Sequence, residues 1–202
     1  MSMAYELEGR VRQKQRTRAA LVEAARALVA AGHTPTVEDA AEQAHISRTT
    51  AYRYFPNQRA LLAEAHPEMT ASSMLPSNPP TDPGERLALV IHAFTELIAK
   101  TEQQQRTMLK LSLDATPEQR AELPLRQGRA IGWILEALEP IAAQLGEQRL
   151  HQLVLALRSV TGIEALAWLR DVGGLSSPQA LAIMRSNASA IYQAALRDED
   201  PT

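Results

Sequence analysis

The stretch TVEDAAEQAHISRTTAYRYFPNQRALL, from Thr36 to Leu62, decides the fold. Val37, Ala40, Ala41 and Ala44 recur at i, i+3, i+4 and i+7, which lays one apolar stripe along a short helix. Thr36 stands where a cap is needed, with Asp39 three residues on to reach back. His45-Ile46 makes a turn. Ser47 then caps a second helix, Arg48 to Phe55, which buries Ala51 and Phe55 and leaves Arg48, Thr49, Thr50 and Arg53 outside. Asn57 caps a third helix, beginning at Gln58 and carrying Leu61 and Leu62. Two short helices joined by a tight turn read as a helix-turn-helix. Hydroxyls and arginines at the exposed start of its second helix suit the DNA major groove, where arginine pairs with guanine and threonine meets phosphate or a thymine methyl.

Working outward, a first helix is expected from about Arg12 to Ala31, with Leu21, Ala24, Ala25 and Leu28 inward and Gly32 ending it. The whole chain carries a net charge of −2. The charge is uneven, however: Arg10, Arg12, Lys14, Arg16 and Arg18 fall in a run without an acid, and residues 1–65 net +2 against −4 for the rest. A basic segment ahead of a mildly acidic body is expected where only the first part meets phosphate, although charge runs are also ordinary solvated helix faces. Zero cysteines exclude disulfides and thiolate metal sites. The N-terminal residues lack the apolar core of a signal peptide. The most apolar stretch, Leu150 to Leu169, is interrupted by His151, Gln152, Arg158 and Glu164, so it reads as a core helix and no membrane partner is expected.

The run Ser47-Arg48-Thr49-Thr50-Ala51-Tyr52-Arg53-Tyr54-Phe55, followed by Leu61-Leu62, closely resembles the DNA-binding head of the tetracycline-repressor (TetR) family. The resemblance covers roughly residues 10–65. It implies a cytoplasmic, homodimeric regulator, more often repressor than activator, with a three-helix head on double-stranded operator DNA and a helical body holding an effector site. On this pattern Arg48 reads a base, and Thr49 and Thr50 touch phosphate or a thymine methyl. Tyr52 donates its hydroxyl to a phosphate, as the family tyrosine at this place does. Thr36, Ser47, Arg53, Tyr54 and, from the basic run, Arg16 complete the expected DNA-binding set, Thr36 by presenting its hydroxyl and a backbone N–H at the start of its helix. Departures are visible. His45 occupies a turn position where glycine is common, Gln58 replaces a phosphate-binding lysine with Arg59 beside it, and Glu38 stands where some members use arginine. Helix 2 is therefore expected to contribute less to readout.

Ser72 to Pro83 holds four prolines in twelve residues and marks the boundary, placed after residue 75: a head over 1–75 and a dimerisation and effector body over 76–202. The body is expected to be all-α, because no segment alternates with period two. Asp82-Pro83-Gly84-Glu85 starts a helix to about Gln103, and Thr116-Pro117 and Ser177-Pro178 repeat the signal. Glu147 to Val172 reads as one long helix ended by Gly173-Gly174. It and the final helix are apolar on more than one side: Ala180, Ile183, Met184, Ala188, Ile191 and Ala195 line the main face of the last. That pattern fits a core helix of a monomer, or the homodimer interface through the last two helices that the resemblance implies. Pro124, Gly128, Gly132 and Pro140 suggest an irregular long helix. His92, Glu96, Met108 and Trp133, with Phe94, Leu109, Leu113 and Ile131, are candidates for an apolar pocket binding an unidentified small-molecule effector.

An enzyme is not expected. There is no Gly-rich phosphate loop, GxSxG or HExxH motif. One Glu-x-x-His, Glu42 to His45, crosses a turn where a di-iron site needs two such motifs, and Glu147 with His151 is a lone pair. No cofactor or metal is expected. The remaining alternative is a helical ligand-binding or interaction scaffold that has lost specific DNA binding.

Overall fold

The computed structural model describes residues 2–65, 72–114, 116 and 128–197, with side chains from residue 11 onward. Their regular elements are all helices, with no strand among the described residues. By contact they divide into two units, residues 2–65 with 103–114 and residues 72–102 with 128–197.

The first unit is built on α1 (Ser2–Ala30), α2 (Val37–Gln43), α3 (Arg48–Tyr54) and α4 (Gln58–Glu64). Helix α1 starts some ten residues earlier than the apolar pattern suggests. Gly32, at φ +90, ends it: His33 N–H reaches Leu28 O at 3.0 Å and Gly32 N–H reaches Val29 O at 2.9 Å, a Schellman closure. The core is Leu21, Ala25 and Val29 of α1 with Val37, Ala40, Ala51, Phe55, Leu61 and Leu62, each at most 2% exposed. Ala40 and Ala51 are fully buried, so α2 and α3 lie close against their neighbours. Arg18 lies 4.8 Å over the Phe55 ring and forms an ion pair with Glu64. One member of the basic run is thereby tied to α4 instead of projecting toward a polyanion.

Helix α6 (Glu102–Leu113) carries a finding the proline boundary does not anticipate. From residue 103 it groups with the head, where Met108, 3% exposed, joins the core cluster and Leu111 packs against it. Gln104 Nε2 donates to Arg26 O at 3.4 Å, and Arg26 Nε in turn donates to Ala65 O at 3.1 Å at the end of α4.

In the second unit, α5 (Pro83–Lys100) begins as expected: Asp82 accepts the Glu85 N–H at 2.8 Å with Pro83 at the first helical position. The irregular long helix expected around Gly128 to Pro140 is instead a short one, α7 (Arg129–Leu138). It starts beside left-handed Gly128 and passes at Pro140 into a 3-10 turn, Glu139–Ile141, and the single turn α8 (Ala142–Leu145). Pro124 and the start signal after Thr116 lie outside the described residues, as does Pro67. The expected single helix from Glu147 is broken. Helix α9 (Glu147–Thr161) and α10 (Ile163–Asp171) meet at Gly162, whose ψ of 179° is extended. Glu147–Asp171 is the only stretch among the described residues long and apolar enough to cross a membrane, at mean hydropathy 1.3. Its apolar side is used in this unit, where Leu153, Val154, Leu157, Ile163 and Leu166 are buried. In α11 (Ser177–Arg197) the cap is one residue earlier than expected: Ser176 N–H donates to Gln179 Oε1 at 3.0 Å. Leu181 and Tyr192 are buried, whereas Ile183, on the face expected to be apolar, is 38% exposed.

Candidate nucleic-acid interface

The surface around α3 is fixed by caps at both ends and by α2. Ser47 Oγ accepts the Thr50 N–H at 3.3 Å and donates to Thr50 Oγ1 at 2.8 Å, so the two hydroxyls are bound to each other. Ala51 locks the inner side of the helix. Outside, Arg48 and Tyr52 form one column four residues apart, and Thr49 and Arg53 form the next; all four are exposed. Tyr54 is half-buried, on the flank against the core. Arg16, on α1, is exposed.

The turn ahead of α3 has the same closure as the end of α1. Ile46 N–H reaches Ala41 O at 2.8 Å and His45 N–H reaches Glu42 O at 3.0 Å, which requires His45 at φ +54. His45 is the only non-glycine residue with positive φ among the described residues.

The Thr36 backbone N–H donates to Asp39 Oδ2 at 2.7 Å and the Thr36 Oγ1 accepts the Asp39 N–H at 3.2 Å, a complete capping box. The backbone N–H of Thr36 is thereby committed to Asp39. The Thr36 backbone N–H first, and then the Thr36 hydroxyl, hold the Asp39 carboxyl below the usual carboxylate range. Gln58 is likewise used inside the head, its Nε2 donating to Pro35 O at 2.9 Å and Thr34 O at 3.1 Å.

Glu38, which sequence reasoning set aside, lies at the centre of the surface. Its Oε1 accepts from Tyr52 Oη at 2.6 Å and from Arg48 Nε at 3.0 Å, with Arg48 Nη2 in close contact with the same oxygen. Those bonds, from Tyr52 first, then the residue's own backbone N–H and Arg48, pull the Glu38 carboxyl down to about 2. Tyr52 is correspondingly raised by the carboxylate. Separations of ten and fourteen residues hide these contacts from any local pattern.

The four candidate effector residues do not converge. Met108 is packed in the head's core, which corrects its placement in a body pocket. Trp133, 3% exposed, meets Phe94 edge-on at 5.8 Å and borders a cleft of about 530 Å³ with Gly128, Arg129, Gly132 and Glu136. His92 borders a different cleft of about 520 Å³ with Arg185 and Tyr192. Glu96 is tied to Arg185, whose Nη2 donates to it at 2.6 Å, and that cation holds its carboxyl below the usual range.

No curated protein matches the chain. Residues 21–65 match the model of the family described as bacterial regulatory proteins, tetR family. The matched span runs from the buried half of α1 to the end of α4 and contains the turn, both caps and the exposed columns of α3. Through these residues the chain carries a helix-turn-helix similar to the DNA-binding segment of TetR-family transcription regulators.

Proposed function

We propose that this protein is a cytoplasmic homodimeric repressor that reads a two-fold-symmetric operator with α3 and is released by a small molecule bound in its body. The observation that carries the reading is the open face of α3, where Arg48, Thr49, Tyr52 and Arg53 stand exposed behind a capped turn of TetR type. A guanidinium at the first position of such a helix is placed to pair with guanine O6 and N7. Thr49 and Arg53 in the adjoining column, with Arg16 on α1, supply phosphate contacts. A dimer is supported by exposed apolar side chains on and beside the last helices, Trp168 of α10, Val172 at its end and Ile183 of α11. Release by an effector is supported by the two body clefts, of which the one beside His92 has an apolar floor of Leu87, Ile91 and Ala188 beneath Arg185.

Selection of bound duplexes from a random pool, then affinity of the winner against salt, tests the proposal. A palindromic motif with a steep salt slope and a large preference over random DNA is expected. Weak binding to every sequence alike would overturn sequence-specific repression and favour the scaffold, with Glu38 retaining the donors of α3 for itself. Thermal-shift screening of small molecules, followed by operator release, tests the effector half.

A further inference from the structure

The contacts of Glu38 divide the groups of α3 differently from a surface of independent DNA donors. A guanidinium has a side edge, Nε with one terminal nitrogen, and an end edge formed by its two terminal nitrogens. Glu38 takes the side edge of Arg48. The end edge keeps two parallel N–H groups, the pair that fits guanine O6 and N7. Tyr52 has one hydroxyl hydrogen and gives it to the same carboxylate oxygen at 2.6 Å. Its oxygen then only accepts, and a phosphate oxygen offers it nothing. Arg48 is a long side chain, 73% exposed, and would otherwise sample many rotamers before docking. Glu38, 30% exposed at its side chain, is the less mobile partner and projects from a helix fixed by its own capping box.

We propose that Glu38 is a specificity-determining positioning residue, with Tyr52 as its strut: together they fix Arg48 for a single guanine and make binding to other bases unfavourable. The inference rests on the reading of α3 as the base-reading helix. A carboxylate facing DNA repels phosphate and lowers affinity for sequences in general. At the right site, the prealigned guanidinium recovers that loss without first being ordered. Glu38 thus separates operator from bulk DNA at both ends, by weakening the second and aligning for the first.

The test is duplex selection followed by affinities for every base at each operator position, made on the full-length protein and on Glu38→Ala, Glu38→Gln, Tyr52→Phe and Arg48→Ala. Arg48→Ala identifies the base pair it reads. Glu38→Ala is expected to bind random DNA severalfold tighter and to lose about tenfold of its discrimination at that same base pair, other positions being unchanged. Tyr52→Phe is expected to flatten that base pair too. Glu38→Gln, which keeps an acceptor without the charge, is expected to restore part of the preference. Melting curves confirm that each variant is folded. If Tyr52→Phe weakens all sequences alike with the motif intact, the tyrosine is a phosphate donor and the strut is refuted. If Glu38→Ala keeps the motif, or flattens a different base pair from Arg48→Ala, the positioning role is refuted. If the unaltered protein selects no motif, sequence-specific reading fails and takes this inference with it, whereas failure in the variants alone leaves that reading standing.

Discussion

His45 is held at φ +54 by the two hydrogen bonds that close α2, and an L-residue with a Cβ pays for that conformation. The left-handed region costs a non-glycine residue about 1–2 kcal/mol, partly offset because glycine in its place would lose more entropy on folding. His45→Gly is therefore expected to stabilise the protein by about 1 kcal/mol. Denaturant unfolding measures it, and an unchanged or lower midpoint would show that the histidine carries no strain there. Glu38 yields a second prediction, in pH. Its carboxyl is lowered from 4.5 to about 2, so its contribution to stability is complete above the ordinary value and is lost as pH falls through the lowered one. Melting temperatures of the unaltered protein and of Glu38→Gln should differ most at pH 6 and converge toward pH 2. Asp39 is lowered too, chiefly by Thr36 in both proteins, and only the smaller opposing effect of the Glu38 charge on it enters the difference. A gap that persists at pH 2 would mean that the charge of Glu38 is not what its partners bind.

At the scale of elements, the caps were legible because a cap is local. Thr36, Ser47, Asn57 and Asp82 each accept the backbone N–H three residues on, as their spacing implies. The uses of Glu38, Gln58 and Arg18 were not legible, since each joins segments distant in sequence whose meeting depends on the whole packing. The break at Gly162 was hidden by an apolar pattern that runs through it. A side chain there would collide with the Arg158 guanidinium and the Glu164 carboxylate, which pair across the break at 3.3 Å. Helix α6 was misplaced for a related reason: Met108 looks the same in sequence whether it lines a cavity or fills a core. Because it fills the head's core at 3% exposure, Met108→Ala is expected to cost about 2–4 kcal/mol. The loss should appear in hydrogen exchange of α1 and α4 amides. Unaltered exchange in those helices would show that α6 does not support the head.

For the molecule as a whole, the decisive question is what covers the apolar groups left outside. Trp168 on α10 and Val172, the residue that caps its end, are 61% and 71% exposed, and Leu155 on α9 and Ile183 on α11 are 44% and 38% exposed. Scattered apolar side chains are ordinary on a surface, but a tryptophan 61% exposed at the end of α10, with the valine that caps it 71% exposed, favours a partner. A second copy is the economical one, since a helix-turn-helix reads two half-sites about one helical turn apart only when two heads are joined. The chain of 22.1 kDa is therefore expected to sediment at twice its mass at micromolar concentration. Trp168→Glu places a carboxylate in the middle of that contact and is expected to give monomers. Their helical content should be unchanged, because the residue is exposed and lies outside the core. Affinity for a full palindrome should fall to that for a single half-site, because each head then binds independently. A dimer that survives the substitution would move the interface elsewhere, while a monomeric unaltered protein that still binds the full palindrome tightly would mean that the two heads assemble only on DNA.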